Sequence, residues 1–201
     1  MAINDLTSEI LIAAAGGHND SYDNRVVSLN LASDTPSWTQ RMAPSTVYET
    51  NVAYYADGKP SSRHIYSSLH FVPQVNRLIL FGGRGIYGAS YNFGKVDAFN
   101  LDTNKWDPTG TFADMPTGYY GSGQIRSTGE IISTLLKKWS PVDLKWTDLV
   151  TSSNGDAVRW PISFDSRRGQ VFCLQWGDGQ GYEPMRVVAS RIPQGLSLIH
   201  I

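Results

Sequence analysis

Four short polar stretches carry most of the side chains able to do chemistry: His18, Asp20, Tyr22, Asp23 and Asn24; Arg63 and His64; Arg84, Tyr87 and Tyr91; and Asp178 with Tyr182. Donors, acceptors and aromatic faces in this mix suit a pocket for an oxygen-rich ligand, with rings to lie against it and polar groups to orient it. The candidate ligand-binding set is therefore His18, Tyr22, Asn24, Arg63, His64, Arg84, Tyr87, Asp178 and Tyr182. A plainer reading stands beside it. His18 and Asn24 can bond loop backbone groups, as short polar side chains in turns do, while Arg63 and His64 brace a junction between elements.

Other chemistries find less support. Gly83-Arg84-Gly85-Ile86-Tyr87-Gly88 has the spacing of a dinucleotide fingerprint, but that chemistry needs a helix N-terminus facing the pyrophosphate. Here an apolar strand pattern resumes at Val96, which leaves no room for one. His18 and His64 lack a clear third metal ligand. Asp178 and Glu183 in a glycine-rich loop could meet a hard cation, though a solvated loop explains them as well. Cys173 lies in an apolar run and reads as packing, and a single cysteine excludes an internal disulfide. Asn19-Asp20-Ser21 fits the glycosylation triplet, which matters only in a eukaryotic secretory setting. No serine-nucleophile motif occurs. No catalytic residue, metal site or cofactor is assigned.

The elements that must position these residues repeat. Ser37-Trp38-Thr39, Lys105-Trp106-Asp107 and Lys145-Trp146-Thr147 end three units alike. Phe99 precedes Trp106, and Trp139 precedes Trp146, by the same offset, with Leu29 two residues further from Trp38. Upstream lie apolar runs, Ile10 to Ala15 and Leu78 to Phe81, each closed by a double glycine (Gly16-Gly17, Gly82-Gly83). Ile131 to Leu136 and Val171 to Trp176 fill the same slot without that pair. Strands with polar turns precede three of the runs, as in Ile65 to Val72 and Ile162 to Phe164. Each unit reads strand, turn, strand, loop, strand, turn, strand. Alternation in the first strand (Ile65, Ser67, Leu69, Phe71) against a nearly all-apolar second strand predicts sheets stacked between neighbours.

This pattern resembles the kelch repeat, best in Arg77 to Gly83 and Val96 to Trp106. Gly16-Gly17-His18 with Asn24, and Ser62-Arg63-His64, add a similarity to bacterial proteins related to the galactose oxidase propeller domain. The resemblance covers roughly residues 10–192 and departs from the family where units three and four lack Gly-Gly. It implies an all-β fold: a kelch-type β-propeller, with about three and a half four-stranded blades of an incomplete ring. Blades are expected near 10–42, 64–109, 118–149 and 160–192, the first beginning at its second strand, with 193–201 a non-blade tail and an artificial end. In that topology the long 2–3 loops and 4–1 connections share one face, and the candidate residues fall on or beside it. Binding residues favour such loops.

The expected function is a non-catalytic scaffold that engages a carbohydrate or protein partner through this face. The alternative is the propeller domain of a galactose oxidase-like or other carbohydrate-active enzyme, with copper the only cofactor it would bring and catalytic residues partly in missing blades. A structural surface role without a small ligand is a third reading. Remaining blades of the same chain are expected partners. Nucleic acid is not: the 201 residues carry a formal net charge of -1 with 17% charged residues. No apolar stretch approaches the ~18 residues that span a bilayer. Met1 to Glu9 lacks the make-up of a signal peptide, while the resemblance implies an extracellular or periplasmic setting.

Overall fold

A computed structural model describes residues 1–15, 21–83, 85, 93–115, 122–133, 137–148, 162–165, 170–175 and 186–191. The fold is all-β and propeller-like. The first sheet is β1 (Ala2–Asn4), β2 (Glu9–Ala13), β3 (Val26–Asn30) and β4 (Trp38–Met42); the second is β5 (Leu69–Val72), β6 (Arg77–Phe81), β7 (Val96–Asn100) and β8 (Lys105–Trp106). The third is β9 (Ser122–Ile125), β10 (Glu130–Ser133), β11 (Lys137–Trp139) and β12 (Trp146–Asp148); a three-stranded sheet follows, β13 (Ile162–Asp165), β14 (Gln170–Gln175) and β15 (Arg186–Arg191). Each sheet is an antiparallel meander in chain order, and among the described residues no strand of one unit joins the sheet of another. Among the described residues, no helix is long and apolar enough to cross a membrane.

The repeated tryptophans have a simple cause. Phe99 lies directly opposite Trp106, Trp139 opposite Trp146, and Leu29 opposite Trp38. A fixed sequence offset is thus one position in the hairpin of third and fourth strands, and the wider Leu29–Trp38 spacing is a longer turn. Phe99 and Trp106 meet edge to face at 5.4 Å between centroids, a favoured geometry for the ring quadrupoles.

Packing between sheets follows from alternation. Along β6, Leu78 and Leu80 join a core with Leu11, Ala13 and Val26 of the first sheet. Ile79 and Phe81 point the other way, into a core with Ile131 and Trp139 of the third. A strand buried on both faces needs an apolar residue at every position, which explains its composition. Each such side chain contributes about 1.5–3 kcal/mol when fully buried.

First strands of successive sheets are neighbours. β1 lies against β5 and β9 against β13, while the His70 ring contacts Ser122 Oγ at 2.8 Å and Gln124 Nε2 donates to Phe71 O at 2.7 Å between β5 and β9. The 1–2 turns gather on one face, where Arg126 and Asp5 lie 3.7 Å apart. The sheets therefore radiate from a common axis, and the described connection between the first two sheets, residues 43–68, lies toward the opposite face.

Two elements differ from the sequence reading. The first sheet has its own first strand, β1, where the expected unit began at Ile10; three residues are too few to show alternation. β5 is shorter than Ile65 to Val72, because Ser68 N donates to Ile65 O in a turn in which Tyr66 takes φ 39°.

Candidate functional site

The long connection between the first two sheets folds down over the 2–3 loop of the first. Asn24, fully buried, pins it. Its Nδ2 donates to Ser45 Oγ and Pro60 O, both at 2.9 Å, and its Oδ1 accepts from Ser45 N at 2.8 Å. Ser45 Oγ passes the network on to Asp57 Oδ1 at 3.0 Å. Each polar atom of the Asn24 amide has a protein partner, as the cost of leaving a buried one unpaired requires.

Arg63 lies where that connection meets the second sheet. Its backbone N donates to Ala14 O at 2.9 Å, beside the end of β2. Gly83 makes room for it: at φ 114° a Cβ there would stand 3.1 Å from both Arg63 Cβ and Ile65 Cγ2. Only glycine tolerates that conformation freely. The guanidinium is wholly buried, donates to Ala53 O (2.8 Å) and Gly82 O (3.3 Å), and lies 2.9 Å from Asp97 Oδ2. Phe93 and Tyr54 flank it, with ring centroids 5.4 and 5.9 Å away. Tyr54 donates its hydroxyl to Asp97 Oδ1 at 2.9 Å. Burial and then the Asp97 charge push the Tyr54 phenol well above its usual range, so it stays a donor.

A tyrosine shelf crowns the same connection. Tyr55 is buried, donates to Tyr22 O at 2.9 Å and accepts from Ser62 N at 3.3 Å; burial raises its pKa. Tyr48 stands edge-on to Tyr55 (5.6 Å, 70°) and stacks on Tyr22 (5.8 Å, 22°). Tyr48 is 45% exposed and Val47 beside it 59%. An aromatic face anchored by buried polar contacts and open to solvent can hold the apolar side of a sugar ring or a partner side chain.

Of the expected residues, Tyr22, Asn24, Arg63 and His64 are described. Asn24 and Arg63 are committed to protein groups beneath the surface. His64 is buried, its ring 4.0 Å from that of Tyr66, which is 46% exposed. Tyr22 belongs to the shelf. His18, Arg84, Tyr87, Asp178 and Tyr182 lie outside the described residues. Tyr48, Tyr54, Tyr55 and Asp97 were not singled out from sequence; the signal available was three tyrosines, Tyr48 and Tyr54-Tyr55, within one long connection. Among the described residues, no three of His, Cys, Asp and Glu stand close enough to share a metal ion.

No family model matches the chain, and no curated protein does. Solved structures do: that of YjhT is similar with a TM-score of 0.53 at 13% identity, over 96% of this chain and 65% of that one. Likeness at this identity speaks for the fold alone. The chain spans 65% of the length of that structural neighbour.

Proposed function

We propose that the chain is a kelch-type propeller scaffold without catalysis of its own, which binds a carbohydrate through the 2–3/4–1 face. One observation carries the reading: the Tyr22–Tyr48 stack, exposed at Tyr48 and held from below by Tyr55. A stack fixed before the ligand arrives loses little side-chain freedom on binding. The kelch assignment is supported by the left-handed Gly82-Gly83 exit (φ 65° and 114°) and by the opposed Phe99–Trp106 and Trp139–Trp146 pairs.

The test is calorimetric titration of the chain with a panel of neutral and acidic oligosaccharides. Tyr48→Ala should weaken binding by about tenfold or more, as loss of an aromatic anchor does, while the lost contacts with Tyr22 and Tyr55, about 0.5–1.5 kcal/mol each, lower the melting temperature by only several degrees and leave the fold intact. Binding indifferent to Tyr48 refutes the shelf. A galactose oxidase-like copper enzyme, the second possibility that the resemblance implies, has its catalytic residues partly in missing blades and would oxidise the bound sugar at the expense of dioxygen only as the full-length, copper-loaded protein; the scaffold reading expects binding without oxidation there.

A further inference from the structure

A second aromatic group stands further along the connection that carries the tyrosine shelf. Tyr66 is 46% exposed, and its ring lies 4.0 Å, centroid to centroid, from that of the buried His64. Its backbone is held in a conformation that bulky side chains avoid. Ser68 N donates to Ile65 O at 2.8 Å, closing a turn with Tyr66 and Ser67 at its centre. Tyr66 takes φ 39°, and Ser67 does not share the positive angle. A turn with positive φ only at its first central position calls for glycine there, and a bulky residue in that place is an outlier. Glycine would close the turn without strain, so the ring is kept at a cost in stability. Strain of this kind gathers at ligand clamps.

The same chain segment ties this ring to the shelf. Tyr55, which supports Tyr48 and Tyr22 from below, accepts a hydrogen bond from Ser62 N. Ser62 stands four residues before Tyr66, a stretch of chain that reaches at most about 14 Å. The stretch is fixed on both sides: Arg63 N bonds Ala14 O of the first sheet's side, and Arg63 and Ile65 pack where Gly83 leaves room. Tyr66 comes just before β5, one of the first strands around the common axis, whereas Tyr22 belongs to the loop between β2 and β3, further from it. Both sheets that the connection joins are described, and Tyr66 remains half exposed between them.

We propose that Tyr66, backed by His64, is a second binding platform, and that the ligand is an oligosaccharide long enough to lie on it and on the Tyr22–Tyr48 stack at once. The proposal rests on the carbohydrate reading of that stack. A single sugar ring covers one aromatic face. A chain of rings that spans both platforms makes its second contact from an already bound state, where the effective concentration is high. The strained turn and the His64 contact fix the Tyr66 ring before the ligand arrives, so little side-chain freedom is lost.

The chain is titrated calorimetrically with cello-oligosaccharide, chito-oligosaccharide and oligogalacturonate ladders, from monosaccharide to hexasaccharide. The expected result is an affinity in one ladder that climbs by about tenfold or more once its members reach both platforms. Tyr66→Gly removes that gain and brings the long members to the affinity of the short ones. Relief of the backbone offsets the lost ring contact, so the melting temperature moves by no more than about 5 °C. Tyr66→Asn, which also tolerates positive φ, acts alike, and Tyr66→Phe keeps the gain because the ring face carries the contact. Binding that depends on Tyr48 yet ignores Tyr66→Gly, whatever its dependence on length, overturns the second platform and leaves the shelf standing. Length-dependent binding that Tyr66→Gly reduces and Tyr48→Ala does not overturns the shelf, and the joint span with it. A chain that binds no member of any ladder overturns both.

Discussion

Removing the cation at position 63 strands a carboxylate. Asp97 is 6% exposed, and with Arg63→Met it keeps the Tyr54 hydroxyl as its one described side-chain donor. The carbonyls of Ala53 and Gly82 lose a donor at the same time. Breaking a buried pair from one side costs about 3–5 kcal/mol, a large share of the ~5–15 kcal/mol that holds a domain. For a chain of this size each kcal/mol moves the melting temperature by about 2–4 °C, so Arg63→Met should melt roughly 6–20 °C lower. Urea unfolding at neutral pH measures the loss directly. A cycle with Asp97→Leu separates the pair from its packing: the double variant should be more stable than the summed single losses by about 1 kcal/mol or more. A loss under about 1 kcal/mol for Arg63→Met, typical of a surface ion pair, would refute the reasoning.

Acid should loosen the inner edge between the second and third sheets. Burial, then the charge of the Met1 amine, pull the His70 pKa from 6.5 down to about 4. Its neutral form contributes stability that is complete above about pH 6.5 and lost as the pH falls toward 4, because the unfolded chain takes up the proton first. The loss is at most about 3 kcal/mol, read as the change in urea midpoint between pH 7 and 4, and His70→Gln should flatten that part of the profile. Gly83→Ala should destabilise by about 1–2 kcal/mol through its left-handed backbone, with the Arg63 contact adding to it; a neutral result in thermal melts counts against the close approach. Phe99→Ala should cost about 3–5 kcal/mol, as a fully buried aromatic does, whereas Trp38→Ala in the equivalent hairpin of the first sheet should cost under about 1 kcal/mol.

What could be read from the chain was what hairpin register and alternation write into it. The Phe99–Trp106 and Trp139–Trp146 offsets are local, so each repeats in plain view. Gly82-Gly83 advertises its backbone in the same way, since few other residues tolerate φ 65° and 114°. Long-range partnerships leave no such trace. Asp97 reads as the outward polar position of an alternating strand, yet it faces a buried arginine from the preceding connection. Arg63 was expected among ligand-binding residues on the loop face and stands wholly inside it. The tyrosine cluster was half legible: Tyr22 lies in a loop the sequence singles out, but Tyr48 and Tyr55 reach it only because Asn24 ties down a connection without periodicity.

Binding on the face of the long connections is tested most directly by mapping backbone amide shifts of the isotope-labelled chain as an oligosaccharide ligand is added. Residues 21–24 and 43–62 should move together, centred on Tyr48. Shifts centred instead on the 1–2 turns, around Asp5, Gln74 and Arg126, would place the ligand on the opposite face and contradict the account.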